Sequence, residues 1–287
     1  MHLVQAKGIL SQNNGMNIYR GCSHGCIYCD SRSKCYGFTH AFEDIEVKEN
    51  APELLEQALR SKRHKCMIGT GAMCDPYLPA EKELQLTRKC LELIDRYEYG
   101  VTVLTKSNLV LRDLDLLQSI HKKTKAVVQM TLTTYDENLC RKLEPNVSTT
   151  RERFEVLMRC KELGIPTLVW MTPILPFIND TRENIEGLLD YCLQAGVQGI
   201  LVFDVGVTLR EGDREYFYQA LDRDFPGIRQ KYVSTYGNAY DIPSPHAKEL
   251  MALIQNTCTA NGMLCSPKEC FTYLHEFPER YVQQTLF

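Results

Sequence analysis

The chain has 287 residues, 44% hydrophobic and 24% charged, with a formal net charge of -3. This is a globular composition with enough apolar mass for a sizeable core, and it carries no overall basic excess of the kind that advertises a polyanionic partner. No stretch is long and apolar enough to span a bilayer, and the opening Met-His-Leu-Val-Gln-Ala-Lys lacks the layout of a secretory signal, so a cytoplasmic protein without membrane contacts is expected.

A first strand over 15 to 20 delivers the chain into Gly-Cys-Ser-His-Gly-Cys-Ile-Tyr-Cys-Asp, residues 21 to 30. Cys22, Cys26 and Cys29 there form a CxxxCxxC triplet. Three thiolates at this spacing suit three irons of a four-iron cluster, leaving the fourth iron open to a small chelating molecule. The same residues also suit a zinc site completed by His24 or Cys35.

Beyond the loop, short apolar runs alternate with helical patterns, the order expected for parallel strands joined by crossover helices. Strands are predicted at 66 to 70, 100 to 105, 126 to 131, 166 to 172 and 198 to 203. Helices are predicted at 51 to 63, 81 to 97, 111 to 121, 150 to 163 and 181 to 195, with Leu84, Leu91 and Ile94 at the spacing of a buried face. Pro52 near a first turn and Gly164 after a last turn mark helix ends.

Six such units predict an α/β fold, a partial (β/α)6 barrel of the TIM type whose site lies at the carboxyl ends of the strands. An open doubly wound sheet fits the same order. Residues 204 to 244, broken by glycines and prolines, read as a loop-rich excursion around one helix. A helix at 245 to 261 and a terminal helix ending near Phe287 follow. The division expected is a core barrel over 1–205 and a C-terminal extension over 206–287 packed on it as a single structural domain.

The first strand entering Cys22, Cys26 and Cys29, with Tyr28 before the last cysteine and five βα units behind, resembles the radical S-adenosylmethionine superfamily. More narrowly the chain is similar to the spore photoproduct lyase-like branch. The resemblance rests on Asp75-Pro76-Tyr77-Leu78-Pro79-Ala80-Glu81, Thr105-Lys106-Ser107, Glu144-Pro145 followed by Arg151, Pro173-Ile174-Leu175-Pro176 with Asn179-Asp180, and the tail around Cys265. It implies an enzyme with a [4Fe-4S] cluster and S-adenosylmethionine as cofactors. Reductive cleavage of S-adenosylmethionine then yields methionine and a 5'-deoxyadenosyl radical that takes hydrogen from a substrate. A flavodoxin- or ferredoxin-like electron donor is implied as partner, and repair of a DNA lesion is the leading specific activity.

Under this resemblance Gly69, Thr70 and Gly71 fall where a glycine-rich segment contacts the methionine amino group. Lys106 resembles the lysine that meets the methionine carboxylate, for which an ammonium offers a charge-assisted bond. Thr131 and Thr133 follow the fourth strand, where hydroxyls meet the ribose or methionine, and Tyr28 is expected beside the adenine. Asp75 is the candidate for orienting cosubstrate or substrate, whereas Glu81 reads as a helix-start carboxylate.

The chain departs from the branch in the second-unit loop, where the hydrogen-donating cysteine of the lyases falls on Ala72. Cys74, two residues on, is the candidate donor in its place. Cys265, Cys270, Cys258 and Cys35 are the residues available to an auxiliary cluster. From another functional class, a noncatalytic iron-sulfur electron carrier or a zinc-stabilised binding module uses the triplet but has no use for Lys106 or the strand-end glycines and hydroxyls.

Overall fold

The apolar runs form a parallel sheet. In a computed structural model, which describes residues 1–278, the six strands Gly15–Met16, Met67–Thr70, Gly100–Thr105, Ala126–Thr131, Thr167–Trp170 and Gly199–Leu201 pair in sequence order, every pair parallel. Parallel neighbours need long crossovers. Helices Ala51–Ser61, Glu81–Leu84 with Leu86–Arg96, Leu114–Lys123, Thr150–Glu162 and Arg182–Ala195 supply them. Among the described residues the first and sixth strands do not pair, so the barrel is open.

Alternation along the strands sorts two apolar layers. Val101, Val103, Val128, Met130, Val169 and Ile200 are buried in one core with helix residues such as Leu55, Leu91, Leu117, Leu157 and Leu188. The intervening Val127, Leu168 and Leu201 turn the other way and pack with Cys270 and Leu274 of helix Pro267–His275. Leu264, just before that helix, bridges to Gly199 in parallel, and its carbonyl accepts Ile200 N–H at 2.8 Å. The C-terminal segment thus covers both the concave face and the edge of the sixth strand.

Several predicted bounds shift. The first strand ends at Met16, and Tyr19–Arg20 instead joins a small sheet with His2–Val4 and Glu46–Lys48, which lets the Tyr19 hydroxyl reach the Glu81 carboxylate. The helix expected over 81 to 97 breaks at Gln85, whose φ of 51° is left-handed. The break buries Glu81, which accepts Thr87 N–H at 3.1 Å and Arg112 Nη2 at 2.9 Å. Glu81 is therefore the centre of a buried polar junction as well as a helix start.

Residues 204 to 244 hold two helices, Asp213–Asp224 and Ile228–Tyr236, enclosed by an antiparallel pair of strands, Gly206–Thr208 with Asp241–Pro243. Pro226 and Gly227 separate the helices rather than ending a single one. Phe217, Leu221, Tyr232 and Ile242 from this segment pack with Ile27 and Tyr28 of the cysteine loop. Helix Glu137–Leu143, capped by Asp136, is an unpredicted element. The final residues of the expected terminal helix lie outside the described ones.

Candidate active site

The cysteine loop is held from two sides. Cys22 N–H donates to the Phe42 carbonyl at 3.0 Å, and a Cβ on the preceding Gly21, at φ 87°, would collide with the same carbonyl. On the other side the segment after helix Glu137–Leu143 clamps the loop: Ile27 N–H donates to Leu143 O at 3.0 Å, Asn146 N–H to His24 O at 3.1 Å, and Asn146 Nδ2 to Ser23 O at 3.1 Å. The Tyr28 hydroxyl bonds to Glu144, whose other oxygen pairs with Arg153. Arg153 is fully buried and also donates to Thr131 O at 3.0 Å, joining the clamp to the end of the fourth strand.

The loop faces a cavity of about 230 Å³ at the carboxyl ends of the strands, lined by Cys22, Cys26 and Cys29 on one side and by Gly71, Cys74, Asp75, Lys106, Thr131 and Trp170 on the other. Gly71 has a φ of 101°, and a Cβ there would collide with the Leu104 carbonyl, so the two strand ends approach as they do only because the position is glycine. Asp75 is fully engaged. Its carboxylate accepts Thr105 Oγ1 at 2.7 Å, Tyr77 N–H at 2.9 Å and Lys106 N–H at 2.7 Å, with His24 Nδ1 at 3.6 Å.

That tie fixes the Lys106 backbone while its side chain, among the described residues, makes no hydrogen bond or ion pair. Burial alone would lower the Lys106 ammonium, but Cys26 and Glu144 carry its pKa above the ordinary value. A lysine that stays charged on a cavity wall is a receptor for an anionic group. Its Nζ also lies 5.9 Å from the centre of the Tyr28 ring.

A second cavity of about 520 Å³ adjoins the first, sharing Cys29, Lys106 and Thr172 with it. Tyr28, Phe203, Val207, Ile242 and Pro243 give it apolar walls, and Asp204 and Asp241 stand exposed on its rim.

Not all the predicted site residues meet here. Cys22, Cys26, Cys29, Gly71, Cys74, Asp75, Lys106 and Thr131 line the first cavity, and Tyr28 lines the second. Gly69 and Thr70 remain in the sheet, paired with Thr102 and Val103, and line neither cavity. Thr133 is buried with its hydroxyl 3.3 Å from that of Thr134, and its carbonyl accepts Asn179 and Asn184 side chains at 2.9 Å. Cys74 is buried and donates to Gly21 O at 2.7 Å. Cys258 and Cys270 are buried, the Cys265 thiol lies within hydrogen-bonding reach of Cys258, and Cys35 lies 3.6 Å from Arg210 Nη1.

Sequence reasoning passed over Arg153, Trp170 and Thr172. Arg153 carried a signal, since it falls on the buried stripe of its helix with Thr150, Phe154 and Leu157, where an unpaired charge would be prohibitive. Arg151, the arginine quoted in the motif, lies on the surface and faces Glu155 at 3.5 Å.

The separation of the three sulfurs bears on which metal group they suit. Zn–S bonds of about 2.3 Å hold the thiolates of one zinc within roughly 4 Å of each other. Among the described residues, Cys22, Cys26 and Cys29 do not form a group within 4.8 Å. Wider spacing suits thiolates that each take their own iron. The Cys74 thiol and His24 hold the Cys22 thiol well below its ordinary pKa, whereas burial pushes Cys26 and Cys29 up. With Lys106 opposing the rise at both, the loop is built to carry thiolates once metal replaces their protons.

An open parallel barrel with a three-cysteine loop at the carboxyl end of its first strand, facing an uncommitted lysine, defines a class of iron-sulfur barrel enzymes. The chain belongs to the Radical SAM superfamily, whose model matches residues 16–192. It is therefore an enzyme of radical SAM type, with a [4Fe-4S] cluster and S-adenosylmethionine as cofactors and a need for an external reductant. Three cysteines on one wall and, on the other, an ammonium without a hydrogen-bond or ion-pair partner among the described residues are the kind of donors that pair calls for.

An uncharacterized protein of Mycobacterium tuberculosis is 29% identical over 249 residues, covering 82% of this chain and 70% of that protein. One from Methanocaldococcus jannaschii is 34% identical over 169 residues, covering 58% of this chain and 62% of that protein. Among solved structures, spore photoproduct lyase complexed with dinucleoside spore photoproduct aligns with a TM-score of 0.65 at 14% identity, covering 92% of this chain and 80% of that chain. A mutant of that lyase with bound AdoMet and the dinucleoside photoproduct gives 0.63 at 14% identity, covering 92% and 81%. At such identities the likeness is one of fold.

Proposed function

We propose that Cys22, Cys26 and Cys29 hold the cluster, that S-adenosylmethionine lies between them and Lys106, and that the substrate occupies the adjoining cavity. When bound, these cofactors supply a one-electron reductive cleavage that gives methionine and a 5'-deoxyadenosyl radical, which takes hydrogen from the substrate. The observation carrying this reading is the shared wall: Cys29, Lys106 and Thr172 line both cavities, so a molecule in the larger one abuts a cosubstrate in the smaller. Lys106 receives the methionine carboxylate, Thr131 offers a hydroxyl, and Asp75 positions Lys106 through its backbone. Cys74 is held on the cavity wall as a candidate hydrogen donor. A flavodoxin- or ferredoxin-like protein delivers the electron, in the reduced cytoplasm that suits thirteen free cysteines.

A second, narrower reading is repair of a DNA photoproduct, favoured by the fold shared with spore photoproduct lyase over 92% of this chain. Asp204 and Asp241 weigh against it, since neither has an ion-pair partner among the described residues and both face the volume that a phosphodiester would approach. An uncharged or cationic organic substrate suits that rim better.

The test is anaerobic reconstitution followed by reductant and S-adenosylmethionine, with 5'-deoxyadenosine as readout. The wild-type protein is expected to form it, and Cys26→Ala is expected to lose both cluster absorbance and cleavage. Cleavage at the wild-type rate in Cys26→Ala would remove the cluster assignment. Stimulation by dinucleoside photoproduct, with release of repaired thymines, would select the narrower reading.

A further inference from the structure

On the far side of the segment that holds Cys22, three ligand atoms converge from separate parts of the sequence. Among the described residues, His2, His40 and Glu46 form the one group of three whose potential metal-ligating atoms all lie within 4.8 Å of one another. The fold brings them there. His2 and Glu46 are register partners in the parallel pairing of His2–Val4 with Glu46–Lys48, and the two histidine rings sit edge to face with centroids 5.1 Å apart.

The hydrogen bonds around His40 ask for a cation. Its Nδ1 lies 2.9 Å from the Ala41 carbonyl, which only accepts, so Nδ1 carries the proton. Its Nε2 lies 2.8 Å from Glu46 Oε1, another acceptor. A neutral ring would set a lone pair against a carboxylate there. A second proton satisfies the contact as it stands, and a metal ion takes that proton's place when the two atoms part by about half an ångström. A backbone carbonyl on one nitrogen is also the arrangement that orients a metal-ligating imidazole through the other.

His2 repeats the pattern. Its Nδ1 meets Asp44 Oδ2 at 3.1 Å, which fixes the ring and leaves Nε2 as the lone-pair nitrogen of the neutral form. Glu46 Oε1 is shared by His40 and by Arg20 Nη1 at 3.1 Å, while Oε2 takes no hydrogen bond among the described residues. Arg20 is drawn away on its other side, donating to Tyr36 O at 2.9 Å and lying 4.7 Å from the centre of the Phe38 ring.

We propose that His2, His40 and Glu46 form a divalent transition-metal site, of a chemistry suited to zinc, separate from the cysteine loop. Two imidazoles and one carboxylate are a common zinc set, completed by water. The metal ties the strand His2–Val4, the loop before Glu46 and the strand Glu46–Lys48 into one unit. Phe42 lies in that loop, and its carbonyl receives Cys22 N–H at 3.0 Å, so the site lies behind the cysteine loop without contributing to its donor set.

The proposal is tested on the full chain, reconstituted with iron and sulfide and carrying no histidine tag, by titrating zinc and recording the zinc-edge X-ray absorption of the product. One zinc per chain is expected, with nitrogen and oxygen neighbours at about 2.0–2.1 Å and no sulfur shell near 2.3 Å. His40→Ala and Glu46→Gln are each expected to weaken that binding at least about tenfold while leaving iron content and cluster absorbance at wild-type levels. If one variant fails to fold, the other carries the comparison. A sulfur shell, wild-type zinc affinity in the folded variants, or no zinc uptake by the wild-type chain at micromolar metal would overturn the proposal. None of these outcomes depends on cleavage of S-adenosylmethionine.

Discussion

Lys106 directly follows the third strand, with its backbone N–H held by Asp75 and its ammonium left facing the cavity. Because the main chain is fixed independently of the side chain, replacing the ammonium should remove an interaction without moving the wall. A hydrogen bond to a charged partner is worth about 1.5–3 kcal/mol. Lys106→Met is therefore expected to raise the dissociation constant for S-adenosylmethionine about tenfold to a hundredfold, with iron content and cluster absorbance unchanged. Calorimetric titration of the reconstituted protein checks this, and unaltered affinity would place the carboxylate elsewhere. Lys106 was legible through the resemblance that Thr105-Lys106-Ser107 bears to the photoproduct lyase-like branch, since a lysine after a strand is by itself an ordinary loop residue. Thr133 and Gly69 looked equivalent to Thr131 and Gly71 in the sequence, because alternation and the last residues of a strand decide which side chain meets the cavity, and those depend on pairing partners far along the chain.

At the scale of elements, helix Thr150–Glu162 does more than cross over between strands. Thr149 and Glu152 form a reciprocal capping box at its start, and one turn in, Arg153 runs a guanidinium into the clamp on the cysteine loop. Burial would raise the Glu144 carboxyl, but Arg153 and Lys106 together hold it below its ordinary pKa. Removing one partner strands the other charge in a dry site, at a cost of about 3–5 kcal/mol. Arg153→Met is expected to lose that much stability in urea unfolding, whereas Arg153→Met combined with Glu144→Gln is expected to recover a large part of it. Equal losses in the single and double variants would mean that the pair is uncoupled. Strand and helix order was readable from apolar periodicity, which each element carries within itself. The clamp was not, because Tyr28, Glu144 and Arg153 acquire their meaning only when the first and fourth units meet.

Across the whole molecule, an open barrel leaves a problem that a closed one solves by itself: the inner faces of the last strands need a cover. Val127, Leu168 and Leu201 would meet water without helix Pro267–His275, whose Cys270 and Leu274 are buried against them. The same helix supports both cavities. Phe271 lies 6.1 Å from the Trp170 ring and 6.2 Å from the Phe203 ring, centre to centre, and Trp170 lines the smaller cavity while Phe203 lines the larger. A loss at the C-terminal helix should thus reach the site through packed rings. Leu274→Ala, which opens a hole in the cover, is expected to cost about 2–5 kcal/mol in urea unfolding. Phe271→Ala removes the shared support and is expected to weaken S-adenosylmethionine binding while the cysteine loop, clamped from the opposite side by Phe42 and Leu143, keeps its iron. Iron content measured beside cosubstrate affinity separates the two effects. Loss of both together would show that the helix holds the whole barrel end and not one wall of it.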